Sequence, residues 1–223
     1  MIAVHIVGWL PLIYVAYAYA TNRLTINPIQ EVEQYLGRWA IYFLAATLTV
    51  TPLYTLTGWG EILPRRRALG LYTFLYASLH LLTFIGLDYG FYLSQVFDLI
   101  LGKVYLLLGT LAFLLLVPLA ATSFDYLKRT MGKTWKRLHW LIYPAAVIAI
   151  LHYAFAQKGN LFTLQGNVLR PFLWGMYILI LLVLRLPPIR RWVSATRRKL
   201  SAHYSSARRR RDTQAADEMT KLS

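Results

Sequence analysis

Three histidines lie inside or at the edge of strongly apolar stretches of this chain. They are His80 in LYTFLYASLHLLTF, and His139 and His152 in KTWKRLHWLIYPAAVIAILHYAF. An ionisable side chain at membrane depth is costly, so it normally marks a function and faces other helices rather than lipid. Neutral imidazole is also the usual protein ligand of haem iron. Histidines at one depth on two membrane helices therefore predict a haem held between those helices.

The elements that must position these histidines are predicted to be membrane-spanning helices. Of the 223 residues, 57% are hydrophobic, and the mean hydropathy is +0.45. Runs of about 20 apolar residues are long enough to cross a bilayer. The first run lacks a basic leader and a cleavage site, so we interpret it as a retained helix. We predict an all-α integral membrane protein with six transmembrane helices at residues 2–20, 39–56, 69–87, 104–121, 139–156 and 172–186.

The absence of cysteine limits the possible cofactor chemistry, and the short sixth apolar run limits how its helix can lie in the membrane. The chain has no cysteine, which excludes disulfides, iron–sulfur clusters, thiolate ligation and covalent attachment of haem through CxxCH. Any haem is therefore non-covalent and has nitrogen ligands. The sixth apolar run is short, and Arg185 at its end is predicted to extend its side chain to the membrane interface.

The net charge of +15 is distributed as a topology signal. Basic residues concentrate in every second connection and after the sixth run, whereas the other connections carry few. This positive-inside pattern predicts that both termini are cytoplasmic. No basic platform with interleaved aromatic residues accompanies the tail, so nucleic-acid binding is not expected. The basic clusters are residues 65–67, 128–137 and 190–211.

We divide the chain into a six-helix transmembrane haem-binding domain, residues 1–188, and a basic cytoplasmic tail, residues 189–223. The tail begins as an amphipathic stretch with Trp192, which favours contact with anionic lipid, and continues into polar, partly disordered sequence. On the opposite side of the membrane, the residues after Pro28 are predicted to form an interfacial helix. No GxGxxG motif follows a strand, so no nicotinamide-binding unit is expected, and both electron donor and electron acceptor must be other molecules.

The depths of two histidines match. At a rise of 1.5 Å per residue, His80 lies about 20 Å beyond Arg67, and His152 lies about 22 Å beyond Arg137. Both helices run from inside to outside, so the two imidazoles are expected at one level in the outer half of the membrane. Such a pair can fill both axial positions of one haem, which favours electron transfer over oxygen chemistry. The alternative interpretation is a pair of packed histidines that hydrogen-bond between helices.

His139 differs because it follows Arg137 closely and so lies at the cytoplasmic interface. It does not share a helix face with His152 unless Pro144 kinks the helix. His139 could ligate a second haem only with a partner from elsewhere, and His5 is the remaining histidine at a suitable depth. Alternatively, His139 serves as a proton or hydrogen-bond group at a quinone or flavin site, or is an ordinary interfacial residue.

Three arginines are candidate partners for anionic cofactor groups. Arg66 and Arg67 could neutralise haem propionates or a flavin phosphate on the cytoplasmic side, because guanidinium favours bidentate contacts with oxyanions. Arg38 could do the same for a haem in the outer half. The simpler interpretation of the 65–67 cluster is a topology determinant alone.

Several sequence strings occur in one order along the chain. They are NPIQEVEQYLGRWA, TVTPL, RRRALGLYTFLYASLHL, LAATS and MGKTWKRLHWLIY…LHY. Together they resemble the haem-binding membrane subunit of bacterial periplasmic protein-methionine-sulfoxide reductase systems, in the ferric-reductase-like transmembrane group. The resemblance runs from about His5 to Arg185.

The resemblance implies a b-type cytochrome of six helices in the bacterial inner membrane. His80 and His152 would bind one haem b, and His139 would be a further haem-associated residue. Electrons would come from membrane quinol, with FMN as a second cofactor. They would pass to a periplasmic molybdopterin-containing methionine-sulfoxide reductase subunit that repairs oxidised proteins. Larger members of the group use two histidines on each of two helices, whereas this chain has one on its third helix.

Two other functions remain open on the sequence. The chain could be a stand-alone ferric or cupric reductase supplied by a cytoplasmic flavin reductase. It could instead be a transporter or assembly scaffold without haem, whose histidines relay protons or pack. No acidic residue lies in the middle of the predicted helices, which counts against a proton-coupled carrier.

Overall fold

The computed structural model describes residues 2–157, 159–160, 165–199, 204 and 208, and this part of the chain folds into a helical bundle. A two-residue antiparallel pair, β1 (Gly159–Asn160) and β2 (Gln165–Gly166), precedes the last long helix. The helices are α1 Ile2–Ala20, α2 Pro28–Thr57, α3 Arg65–Leu82, α4 Leu93–Gly102, α5 Val104–Ala121, α6 Asp125–Met131, α7 Lys133–Leu138, α8 Ile142–Ala156, α9 Leu169–Leu184 and α10 Pro187–Lys199.

The predicted class, an all-α multi-pass membrane protein, is confirmed. Five helical segments of the described chain are long and apolar enough to cross a membrane, and α9 with α10 forms a sixth if that bent pair is one span. The axes of α9 and α10 differ by 74°, so the predicted sixth helix is α9 and the chain turns sharply after it. The two-residue strands are an addition that the sequence did not predict.

Helix α2 is longer than its apolar run predicts. It begins at Pro28, where the side chain of Asn27 accepts a hydrogen bond from the Gln30 amide (3.2 Å), and proline occupies the favoured first turn. The predicted interfacial helix therefore exists but is continuous with the second transmembrane helix. Its 30 residues span about 45 Å at 1.5 Å per residue, which exceeds the roughly 30 Å of hydrocarbon in a bilayer.

Two antiparallel helix pairs, α2 with α3 and α5 with α8, make the most extensive contacts in the bundle. Helix α9 packs against α8 and α2. Small side chains such as Ala145 and Ala146 let the helix backbones approach closely where the pairs meet. The core between the pairs consists of Leu44, Ala45, Leu48, Leu116, Leu119, Ile142, Ala145, Ala146, Ile178 and Leu181.

The prediction that Arg185 extends to the interface is wrong. Its side chain is 9% exposed and donates hydrogen bonds to the carbonyl oxygens of Thr47 and Leu48 in α2. Its guanidinium also lies over the ring of Tyr143, 5.9 Å from the centroid. The interior of the bundle offers acceptors that lipid does not, so the arginine turns inward.

The basic segment after the bundle begins with a helix that contacts the protein itself. In α10, Nη1 of Arg197 donates to the carbonyl oxygens of Tyr54 (2.8 Å) and Thr55 (3.1 Å) at the end of α2. Helix α2 ends there at Gly58, whose φ of 79° is the left-handed value that glycine adopts readily. The predicted polar, disordered part of the tail, residues 200–223, lies outside the described residues apart from Tyr204 and Arg208.

Candidate functional site

A cavity of about 480 Å³ lies among α2, α3, α5 and α8, at the end of the bundle where α3 and α8 finish. We call this the cavity end. The opposite end of the bundle, where α3 begins at Arg65, is called the basic end. The cavity volume falls within the range of about 300–1,000 Å³ that is usual for cofactor sites. His80 from α3 and His152 from α8 both line the cavity.

The two imidazoles face each other across a short gap. Their ring centroids are 6.1 Å apart and their planes differ by 64°. A metal ion bridging two imidazoles would place the ring centres roughly 6 Å apart, since each metal–nitrogen bond is about 2 Å and each nitrogen lies about 1 Å from its ring centre. The separation therefore fits two axial ligands of one iron.

The second nitrogen of each ring is engaged by backbone. Nδ1 of His80 is 2.9 Å from the carbonyl oxygen of Glu33, and Nδ1 of His152 is 2.7 Å from the carbonyl oxygen of Tyr105. A carbonyl oxygen only accepts, so Nδ1 carries the proton in both rings and Nε2 keeps its lone pair. This second-shell arrangement is typical of histidines that ligate metals.

Local irregularities in the helices help to position these rings. A π-helical turn, Thr83–Asp88, follows α3 and begins three residues after His80, and such turns are frequent at functional sites. The helix predicted at residues 139–156 comprises a 3₁₀ turn at His139–Leu141 and α8, and α7 directly precedes that turn. Pro144 lies in the first turn of α8, where its missing amide breaks no helical bond. Pro144 therefore starts the helix rather than kinking it.

The structure does not bring His139 or His5 to this cavity. His139 stacks on Trp135 with ring centroids 3.8 Å apart, and its Nδ1 is 3.1 Å from the Trp135 carbonyl oxygen. Nδ1 of His5 is 3.0 Å from the hydroxyl of Tyr72, in a separate groove of about 460 Å³ between α1 and α3. Each of these histidines thus has its own aromatic partner at the basic end.

The three candidate arginines occupy different environments. Arg38 lines the cavity near its mouth. Nη1 of Arg67 forms a salt bridge of 2.8 Å with Asp125, and this hydrogen bond and charge lower the pKa of Asp125 below its ordinary value. Arg66 lies within electrostatic range of His139 and Arg185 at the basic end.

Sequence reasoning missed the groups that complete the site. The carbonyl oxygens of Glu33 and Tyr105 have no side-chain signal. The polar mouth of the cavity was missed because its residues lie outside the predicted transmembrane helices, either in the predicted interfacial helix or in connections. It consists of Asn27, Gln30, Glu33, Gln34, Asp88, Tyr89 and Gln157.

The chain is similar to known membrane proteins. Residues 36–150 match the family of ferric reductase like transmembrane components. The protein-methionine-sulfoxide reductase heme-binding subunit MsrQ of Rhodospirillum rubrum is 40% identical over 206 residues, which are 92% of this chain and 93% of that protein. The protein of the same name from Xanthomonas euvesicatoria pv. vesicatoria is 38% identical over 189 residues, which are 85% and 79% of the two chains. No solved structure matches the chain.

Proposed function

This chain belongs to the family of MsrQ heme-binding subunits of protein-methionine-sulfoxide reductase, and on that premise we propose that it is a b-type cytochrome that carries electrons across the bacterial inner membrane. The single observation that carries the proposal is the facing pair His80 and His152, with ring centroids 6.1 Å apart. His80 and His152 would hold the haem, and when bound it would supply a one-electron carrier.

The chain's own groups prepare both histidines for this role. Each Nδ1–H donates to a helix carbonyl, which fixes the tautomer and the ring orientation before any cofactor arrives. Arg38 supplies a positive charge at the cavity mouth, where it can pair with a propionate. The cavity walls also include the apolar side chains of Leu44, Phe113 and Leu116, which suit the apolar body of a porphyrin.

The charge distribution supports a direction for the electrons. With the basic end in the cytoplasm, the cavity end faces the periplasm. We propose that electrons leave there, through the polar mouth, to a periplasmic molybdopterin-containing methionine-sulfoxide reductase subunit. The described connections at that end contain helix α4 and the two-residue strands rather than a folded redox domain, which supports a separate acceptor protein that docks there.

Two features of the basic end support electron entry from quinol and flavin. The groove beside His5 and Tyr72 is largely apolar and carries a hydrogen-bonded pair that can accept a quinol proton. Arg66, near Arg185 and His139, is the better candidate for the phosphate of FMN, because Arg67 is already paired with Asp125.

The proposal is tested by reduced-minus-oxidised optical spectra of the purified wild type, His80→Ala and His152→Ala. We expect a low-spin b-type spectrum in the wild type and its loss, or conversion to high spin, in both variants. Leu114→Ala, on the lipid-facing side of α5 at 58% exposure, is the matched control and should keep the wild-type spectrum. Absence of haem from folded wild type, purified from cells with ample haem supply, would contradict the proposal and favour a scaffold or transporter.

A second candidate function is favoured by the match to ferric reductase like transmembrane components. A stand-alone ferric or cupric reductase would use the same haem but no partner protein. Reoxidation of the dithionite-reduced protein separates the two. Fast reoxidation by the periplasmic reductase with methionine sulfoxide, and slow reoxidation by ferric chelates, supports the subunit role, whereas the reverse order supports the reductase.

A further inference from the structure

Each facing imidazole docks against a helix carbonyl that lies one turn before a glycine. His80 meets the carbonyl of Glu33, four residues before Gly37, and His152 meets the carbonyl of Tyr105, four residues before Gly109. In a helix, the carbonyl of residue i points toward residue i+4, so a side chain at i+4 obstructs access to that oxygen from outside the helix. Glycine leaves this approach open.

The space at both glycines is filled by the imidazole itself. A methyl group at Gly109 would lie 2.8 Å from both Nδ1 and Cε1 of His152, closer than real contacts allow. A methyl group at Gly37 would lie 3.2 Å from Nδ1 of His80, which is tight. By contrast, a methyl group at Gly70 in α3 would meet nothing nearer than Thr47 Cγ2 at 3.8 Å.

We propose that Gly37 and Gly109 are positioning residues that form two notches, one on α2 and one on α5, in which the imidazoles seat. Each notch brings Nδ1–H onto the carbonyl and leaves Nε2 directed away from the helix. The inference rests on the proposed haem function and adds residues that neither the histidine pattern nor the family similarity assigns. Glycine otherwise weakens a helix interior, so its presence at both equivalent places has a local steric reason.

The two notches are equivalent in construction. The separation between carbonyl and histidine is 47 residues in both, and each notch joins the two helices of one antiparallel pair. A hydrogen bond from Nδ1–H to a carbonyl raises the basicity of the ligating nitrogen and so favours ferric over ferrous iron. The notches therefore set the reduction potential as well as the geometry.

The test uses the full chain in membranes with ample haem supply and compares Gly37→Ala and Gly109→Ala with the wild type. Haem per protein, the low-spin spectrum and the midpoint potential are measured. Because its clash is closer, Gly109→Ala is expected to lose more than half of the haem or to become high spin. Gly37→Ala is expected to keep haem with a raised midpoint potential, since the weakened hydrogen bond makes the ligand less basic.

Two glycine-to-alanine controls distinguish a local effect from general damage. Gly70→Ala should match the wild type in all three measurements. Gly8→Ala should weaken the packing of α1, because its methyl group would overlap the ring of Tyr72, but it should keep the low-spin spectrum and the potential. If the Gly109→Ala protein does not accumulate, the inference is tested by Gly37→Ala alone, and a midpoint potential equal to that of the wild type would contradict it.

Wild-type haem content, spectrum and potential in both notch variants would overturn the inference. The same spectral change in Gly8→Ala would also overturn it, because the effect would then be general. A wild type without haem would contradict the proposed function instead, so the two failures are distinguishable.

Discussion

The guanidinium of Arg185 donates two hydrogen bonds to the carbonyl oxygen of Leu48, from Nη2 at 2.8 Å and from Nε at 3.2 Å. Pro52 follows Leu48 by four residues in α2 and has no amide hydrogen. The Leu48 carbonyl therefore lacks its helical donor, and a side chain from the far end of α9 takes its place. The arginine thus connects the last helix of the bundle to a defect in the second.

Replacing Arg185 with methionine should reduce stability because the Leu48 carbonyl is left buried without a donor. The expected loss is about 1–3 kcal/mol. In a Pro52→Ala background the loss should be smaller, because the alanine amide restores the helical bond. Unfolding in mixed micelles, measured for both single variants and the double variant, gives the coupling energy. Arg190→Met, an exposed neighbour, is the control, and strict additivity of the Arg185 and Pro52 changes would contradict the explanation.

Replacing Arg38 with glutamine should lower the midpoint potential of the haem. Arg38 lines the histidine cavity, and removal of a positive charge favours the more positively charged ferric form. A redox titration measures the shift. Arg23→Gln changes an arginine that lies over the ring of Tyr17 instead, and it should leave the potential unchanged. An unchanged midpoint potential in Arg38→Gln would contradict the prediction that the charge of Arg38 acts on the haem.

Asp125→Asn tests the salt bridge that joins α3 and α6 at the basic end. The contact with Arg67 holds the pKa of Asp125 below its ordinary value of 3.8. Its contribution to stability is therefore present above the ordinary pKa and is lost as pH falls through the depressed pKa. Both side chains are substantially exposed, 43% and 68%, so we expect a small fall in melting temperature at neutral pH that high salt removes. A difference that persists in acid would indicate another cause.

The proposed FMN site at the basic end predicts that substitution of Arg66 and substitution of Arg67 weaken FMN binding to different extents. Arg66→Gln is expected to weaken FMN binding by tenfold or more, because it removes a cation near Arg185 and His139. Arg67→Gln should have a smaller effect, since Arg67 is engaged with Asp125. Titration of the apo-flavin protein, followed by quenching of FMN fluorescence, measures both. Equal weakening by the two substitutions would contradict the assignment.

Most of the helices could be predicted because a membrane demands long apolar runs. The exceptions follow from local chemistry. The charged residues Glu31 and Glu33 separated the predicted interfacial helix from the second apolar run, although the two form one helix that begins at the Asn27–Pro28 start signal. Helix α4 has only 10 residues, too few to register as a span. The 3₁₀ turn at His139–Leu141, between α7 and α8, was also missed, because sequence patterns locate helix ends poorly.

The amino-acid sequence by itself determined the membrane class, the position of the basic end and the choice of His80 and His152 as candidate ligands. Hydropathy, charge and residue type are local properties that can be assessed without knowing the fold. Depth along a helix also follows from residue count, and so His80 and His152 could be matched. Only the tertiary structure decided which groups surround them. The carbonyls of Glu33 and Tyr105, the notches at Gly37 and Gly109 and the inward turn of Arg185 depend on helix rotation and on backbone acceptors. Those are fixed by packing between distant segments, which no local pattern encodes.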